Sequence, residues 1–587
     1  MRQFFKMFFA TLLSLIVFGV LVVLFVVGII SAVAGSVGSE KPDTGSNGVL
    51  YIDTNAGIQE QVQSNPLASL NGKDEYDMPG LYDLVRVIRY AKSDSTIKGI
   101  YLKCGENGNG FATSESLRSA LLDFKTSHKF IYAYADVISQ KAYYIANVAD
   151  SIFCNPKGGL EWKGFSLQYM FFKQALDKLS IEPEIFYAGK FKSATEPFRT
   201  DHMTVANSLQ SSVFLNDLYQ LFLRETSAAR HVDTGILHRY ANEYAVQSAG
   251  DAVRYKLIDG TRYDDEVKTL IRKSAGVRDQ ADINFIPIAK YARARTYKKT
   301  EGEKIALIFA QGDIVDGKGD KGQIGGDTYR SLIQTAAQDN SIRAIVIRVN
   351  SGGGSAMASE NIWRAVKMAR QRKPVVMSFG DYAASGGYYM SCGADSIFTE
   401  PNTLTGSIGV FSIIPNFGRF FSDKLGITFD GVKTGPFADV PTATRELTET
   451  EKRFLQNDVD SIYDTFIHRV SAGRKINPAL VDSIGQGRVW TGERAILIGL
   501  ADRTGSLQDA LDCAARMAKV RQYRLKEYPE PLNWWESIFG GYKKTIATRA
   551  MEQELGVTGA RIYQTLKGIQ SSAGSAQAKL PFTFSIR

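Results

Sequence analysis

The chain has 587 residues, 44% hydrophobic and 22% charged, which is enough for several domains with sizeable cores. Its net charge of +9 is a mild excess of 70 basic over 61 acidic residues, and no long basic run carries interleaved aromatics, so nucleic-acid binding is not expected. The five histidines show no HExxH-like spacing and the four cysteines no CxxC pairing, which excludes a recognisable metal centre and suggests no cofactor.

The first predicted element is apolar. After Arg2 and Lys6 no charged residue occurs until Glu40, and Phe8 to Ala34 is almost wholly apolar. A bilayer core needs about 20 such residues in a helix, whereas the apolar core of a cleavable signal peptide runs to only about 7–15. Residues 8–34 are therefore expected to be an uncleaved signal anchor. The basic residues ahead of it place residues 1–7 in the cytoplasm, and the rest of the chain on the outer side of the cytoplasmic membrane. Contact with lipid follows from that anchor.

Downstream, the chain repeats itself. "ADSIF" begins at Ala149 and again at Ala394, and the offset of 245 holds over a long stretch: Asp94 with Asp339, Ser114-Glu115 with Ser359-Glu360, Asp136 with Asp381, Tyr143-Tyr144 with Tyr388-Tyr389. A period this long indicates a duplicated domain. Each copy alternates short β-branched runs ("IKGIYLK", "IRAIVIRV") with helical patterns (Ser114–Lys125, Ser359–Arg372) and further strands ("KFIYAYAD", "PVVMSFGD"). That order implies parallel strands with right-handed crossovers. The fold class is α/β, with tandem domains at 45–265 and 303–505. Residues 266–302 read as a linker, and 506–587 as a C-terminal extension carrying "NWWESIFGGY". Cys104, Cys154, Cys392 and Cys513 are expected to be buried free thiols.

The differences between the copies follow a chemical pattern. Ser407 in "LTGSIGV" aligns with Trp162. Past that point the offset becomes 246, and Lys192 in "GKFKSATEPF" aligns with Ala438. One copy keeps a serine and the other a lysine. A serine hydroxyl needs a base, and a lysine serves as one when burial lowers its pKa. Ser407 is thus expected to be the nucleophile and Lys192 the general base. "NSGGGSAM" follows a strand, so Gly352 and Gly353 are candidate oxyanion donors. A rival nucleophile is Ser385 in "YAASGGYY", after a strand and at a helix start, where the first copy has Gln140. No histidine lies between His238 and His468 to activate it, so Ser385 is assigned instead to packing or the substrate groove.

These motifs, with "SGGGSAMASE" and "GRVWTGERAILIGLAD", resemble the signal peptide peptidase A family in its long, duplicated form, also called the protease IV type. The resemblance covers about residues 45–505 and the anchor. It implies a crotonase-like fold shared with the caseinolytic protease, and a Ser-Lys serine endopeptidase of the bacterial cytoplasmic membrane, facing outward. Such an enzyme degrades signal peptides and other apolar peptides and assembles as a homotetramer. It matches Ser407 to the nucleophile, Lys192 to the base, and Gly352 and Gly353 to the oxyanion turn. Lys190, two residues from Lys192, departs from the pattern and is a minor candidate for tuning the base. Ile408, Val410, Ala384 and Ser385 are expected to line the groove. An inactive scaffold of the same fold, or an acyl-CoA enzyme of the crotonase type, are the alternatives.

Overall fold

A computed structural model describes residues 2–37, 41–61, 79–278, 281–530, 575–580 and 585–586. The segment "NWWESIFGGY" lies outside the described residues. A helix, Arg2–Val37, forms over the apolar N-terminus. Among the described residues no helix is long and apolar enough to cross a membrane, so the anchoring expectation rests on the sequence.

The two repeats build two sheets of matching order. In the first, the strands run Gly260–Thr261, Ser151–Leu160, Phe130–Ile138, Ile97–Lys103, Gly48–Asp53 and Phe285–Pro287, all parallel. In the second, Arg503–Thr504, Ser396–Thr399, Val375–Ala384, Ile342–Ser351, Glu303–Gln311 and Tyr523–Tyr528 repeat that order, again parallel. Parallel strands buried on both faces need continuous apolar runs, and "IRAIVIRV" supplies one, with Ile345, Val346 and Ile347 almost fully buried. The helices Phe111–Lys125 and Ala356–Arg370 pack on equivalent faces, each burying an apolar stripe.

Two stretches extend the domains beyond their expected limits. Residues 266–302 are not a free linker. They contain most of the helix Asp264–Ser274, the edge strand Phe285–Pro287 and the helix Ile288–Ala294, and bury Val267, Ile271 and Tyr291 in the first repeat. Past residue 506, the helix Leu507–Met517 and the strand Tyr523–Tyr528 complete the second sheet. The reason is the same in both: without a strand beside Gly48–Asp53 or Glu303–Gln311, each sheet would expose an unpaired edge.

A third sheet joins the repeats. Its order is Ile324–Gly325, Ile314–Val315, Gly353–Ser355, Gln577–Lys579, Val410–Asn416 and Glu182–Ala188. The strand Glu182–Ala188 of the first repeat runs antiparallel to Val410–Asn416 of the second, from Ala188 opposite Val410 to Glu182 opposite Asn416. The seam also holds a buried ion pair, Arg348 Nε to Glu60 Oε2 at 3.0 Å. Asp381 adds to it by accepting from the Thr113 amide and hydroxyl at 2.9 and 2.7 Å. All four cysteines are buried and free.

Candidate active site

The inter-repeat strand pair delivers a lysine into the second repeat. Just past Ala188 the chain turns at Gly189, whose φ of 106° favours glycine. A side chain there would strike the Gln486 backbone at 2.5 Å. The Phe191 amide donates to the Gln486 carbonyl at 2.8 Å. Gln210 holds the same loop, donating to the Phe191 carbonyl and to Ser193 Oγ, both at 3.0 Å. Gly487, φ 76°, faces Lys192 so closely that an added Cβ would lie 2.6 Å from the Lys192 amide nitrogen. Lys192 is 1% exposed.

The Lys192 amine meets two serines. Nζ lies 2.8 Å from Ser385 Oγ, 3.1 Å from Ser407 Oγ and 3.3 Å from the Ser407 carbonyl oxygen. Both serines are 0% exposed. Burial holds the Lys192 pKa well below the ordinary 10.5, and desolvation is its cause. A neutral amine has two N–H donors and one lone pair. The Ser407 carbonyl can only accept, so one N–H is committed to it. The other N–H and the lone pair are left for the two serine hydroxyls.

The two serines sit in different backbone settings. Ser385 lies between the strand Val375–Ala384 and the helix Gly386–Ser391, at φ 55° and ψ −115°. A non-glycine residue held at such angles is strained. Its amide donates to the Gly406 carbonyl at 2.8 Å. Ser407, φ 49°, follows the strand Leu404–Gly406, and its amide is committed to the Arg488 carbonyl at 2.7 Å. The amine's shortest contact is therefore with Ser385, which the sequence reading had assigned to packing or the groove.

The first repeat fills the same positions structurally. Trp162 packs against Tyr143 and Phe222 and donates Nε1–H to the Leu237 carbonyl at 2.9 Å. Gln140 staples the loop beside it, accepting from the Lys163 and Gly164 amides. The other expected residues are distributed unevenly. Gly353, φ 99°, lies against Gly386: a Cβ on Gly353 would be 2.7 Å from the Gly386 amide nitrogen. The Gly353 amide donates to Ser351 Oγ at 3.1 Å, and Gly352 offers its carbonyl to the Leu580 amide at 2.7 Å. The glycine next to Ser385 is thus Gly353 with Gly386, a residue the sequence reading missed although "SGG" follows directly on the turn. Ile408 is buried in the apolar cluster of the second repeat's core. Val410 joins the apolar cluster at the inter-repeat strands, and Ala384 a cluster with Leu404 and Val489. Lys190 is exposed, its Nζ 5.2 Å from the Phe191 ring centre. His468 lies exposed on the helix Glu449–Arg474, bonded to the Asp464 carbonyl. No cluster able to hold a metal ion occurs among the described residues.

Comparison with known proteins gives a consistent result. The profile of peptidase family S49 matches residues 123–278 and 367–521, once in each repeat. Protease 4 of Salmonella typhi is 35% identical over 531 residues, covering 87% of this chain and 85% of its own length. Protease 4 of Haemophilus influenzae is 32% identical over 517 residues, with 85% and 83% covered. The chloroplastic serine protease SPPA of Arabidopsis thaliana is 30% identical, with 78% and 69% covered. ClpP1 of Listeria monocytogenes aligns over 35% of the chain and 94% of its own, at 13% identity and a TM-score of 0.24, too low a likeness to argue from.

Proposed function

The chain belongs to peptidase family S49, in its long, duplicated signal peptide peptidase form, and from that membership we propose a serine endopeptidase in which Ser407 is the nucleophile, Lys192 the general base and Ser385 a hydroxyl that orients the base. The observation that carries this reading is the 3.1 Å contact between Lys192 Nζ of the first repeat and Ser407 Oγ of the second, both buried. Burial favours the neutral amine, and in that form it takes the Ser407 proton as Oγ adds to a peptide carbonyl. It then returns that proton to the leaving amine. The Ser385 hydroxyl, 2.8 Å from the same amine, helps to orient it. The Gly386 amide, in the first turn of its helix, has no partner within that helix, and with the Gly353 turn it forms a side-chain-free cradle for the oxyanion.

Labelling of the full chain in detergent with a fluorophosphonate tests this assignment. Loss of label in Ser407→Ala, with label retained in Ser385→Ala, is the expected pattern. The reverse pattern makes Ser385 the nucleophile, the second reading that its 2.8 Å contact supports.

The substrates we propose are released signal peptides and other extended apolar peptides. The N-terminal helix would serve as the anchor in the cytoplasmic membrane of a bacterium, with both repeats outside. Uncharged residues from Met7 to Ser39, preceded by Arg2 and Lys6, support that topology. Extraction of the protein by alkaline carbonate, without detergent, would refute it.

We propose a homotetramer closed head to tail. The first repeat pairs Glu182–Ala188 with the second repeat, whereas the second repeat's counterpart, around residues 428–434, is exposed. Val432 is 102% exposed and Phe429 53%. This exposed segment, with Phe429 and Val432 open to solvent, suits the next protomer's first repeat. Light scattering that returns a monomer at micromolar concentration would exclude it.

A further inference from the structure

The seam between the repeats encloses a cavity of about 360 Å³, a volume within the range of sites that hold small molecules. The first repeat contributes Glu60, Glu115 and Ser116 to its wall, and the second Arg348 and Glu400. Glu400 directly follows the strand Ser396–Thr399, and Gly505 directly follows the strand Arg503–Thr504. Those two strands are parallel, and ligands of open α/β sheets bind outside the carboxyl ends of such strands. Lys192, Ser385 and Ser407 do not line this cavity.

Two buried groups of opposite sign in that wall keep unused hydrogen-bonding capacity. Arg348 is 1% exposed. Its Nε donates to Glu60 Oε2 at 3.0 Å, and its Nη1 to Ser378 Oγ at 3.0 Å and to the Phe379 carbonyl at 2.6 Å. Its Nη2 has no partner among the described residues. Glu400 is 6% exposed and accepts at Oε1 from Ser116 Oγ at 3.1 Å. Its Oε2 has no partner among the described residues. Groups buried this deeply are ordinarily satisfied, so each calls for a partner that enters the cavity. Arg89, exposed and in no ion pair among the described residues, adds a second cation to the wall. Glu115 adds a second carboxylate, to which Tyr144 and Ser119 donate. Leu81, Val85 and Leu507 give the same space apolar sides.

We propose that the seam cavity binds a small zwitterion, a free α-amino acid or a dipeptide. The ligand's carboxylate accepts from Arg348 Nη2 and pairs with Arg89. Its ammonium donates to Glu400 Oε2, and Glu115 adds to the negative field there. One such ligand satisfies both a donor and an acceptor that the chain leaves open, whereas an anion or a cation alone satisfies one. Because its partners come from both repeats, the ligand bridges them and stabilises the seam. Burial raises the Glu400 carboxyl to about 7, and the charged groups around it are Arg348, Glu60, Arg89, Glu115 and Asp509. An ammonium beside that carboxyl favours its ionised form, so binding below this pH releases a proton. Affinity therefore rises as pH approaches about 7 from the acid side.

The test is isothermal titration calorimetry of the full chain in detergent with the dipeptide Ala-Leu, on a Ser407→Ala background so that no peptide is turned over. Saturable binding is expected near neutral pH, together with a rise in Tm. Adding Glu400→Gln should raise Kd by about tenfold or more, the scale of a lost hydrogen bond to a charged group. N-acetyl-Ala-Leu and Ala-Leu amide, each lacking one charge, should bind more weakly by a similar factor. Ser119→Trp, which fills the cavity from an exposed position, should block binding in a chain that circular dichroism shows to be folded. Between about pH 5 and 7.5 the affinity should rise in the parent and stay flat in Glu400→Gln. Absence of saturable binding overturns the proposal and leaves the peptidase reading standing. Binding that Glu400→Gln and Ser119→Trp leave unchanged puts the dipeptide in the peptidase groove and also overturns it. Equal binding of Ala-Leu and its two capped forms rules out a zwitterion site.

Discussion

Lys192 of the first repeat places its amine 2.8 Å from the hydroxyl of Ser385 of the second, with neither side chain open to solvent. The two residues are 193 positions apart and belong to different copies of one duplicated domain. Neither copy holds both groups, so the centre exists only where the copies meet.

The two serines should separate kinetically. Ser407→Ala is expected to lower kcat by about 10⁴-fold or more, the scale seen when a nucleophile is removed. Ser385→Ala leaves the nucleophile and removes one of the groups that orient the amine. A fall of about 10²-fold is expected there, the scale of a misplaced catalytic group. Steady-state kinetics on a quenched peptide measures both, and equal losses would argue against distinct roles.

Activity should rise with pH. Desolvation disfavours the Lys192 ammonium, and only the neutral amine accepts the serine proton. The kcat/KM profile should therefore fall on the acid side, as pH drops through a value well below 10.5. Lys192→Met should abolish turnover yet raise stability at neutral pH. In wild type, the unfolded chain binds a proton at this lysine that the folded chain does not, so folding is penalised below 10.5 and gains as pH rises. A profile flat from pH 5 to about 10 would sink the lysine's role as base.

Gly487→Ala should damage the site from outside it. Its φ of 76° disfavours any side chain, and the new Cβ would press on the Lys192 backbone at 2.6–2.8 Å. A loss of about 10²-fold in kcat/KM is expected from a displacement near 1 Å, together with roughly 1–2 kcal/mol of stability lost to the left-handed backbone. Circular dichroism and urea titration distinguish this from global unfolding.

The seam between the repeats should respond to pH through Glu400. Burial raises its carboxyl pKa from 4.5 to about 7, and Ser116 of the first repeat donates to it at 3.1 Å. The folded state then holds an extra proton between those values. That stabilising contribution is complete below about 4.5 and lost as pH rises through about 7. Glu400→Gln should match wild type near pH 5 and exceed it by on the order of 1–3 kcal/mol above pH 8. Equal stability of the two proteins at both pH values would contradict this account.

The duplication, the alternation of strands and helices, and the complementary loss of a serine and a lysine are all written along one dimension, because strand periodicity and repeat offsets are local properties. They identified Lys192, Ser407 and the Gly352–Gly353 turn without any coordinates. Which serine lies closest to the amine was not legible there. It depends on the close approach of Gly189 and Gly487, on the strain at Ser385, and on the commitment of the Ser407 carbonyl to the amine, each a contact between residues hundreds of positions apart. The entry of residues 577–579 into the third sheet was equally invisible, since three residues carry no periodicity and their pairing energy comes wholly from backbone left open by distant strands. Sequence determined which chemical groups this protein possesses; tertiary structure decided which of them touch, because a proton moves only across a hydrogen bond and only packing sets that distance.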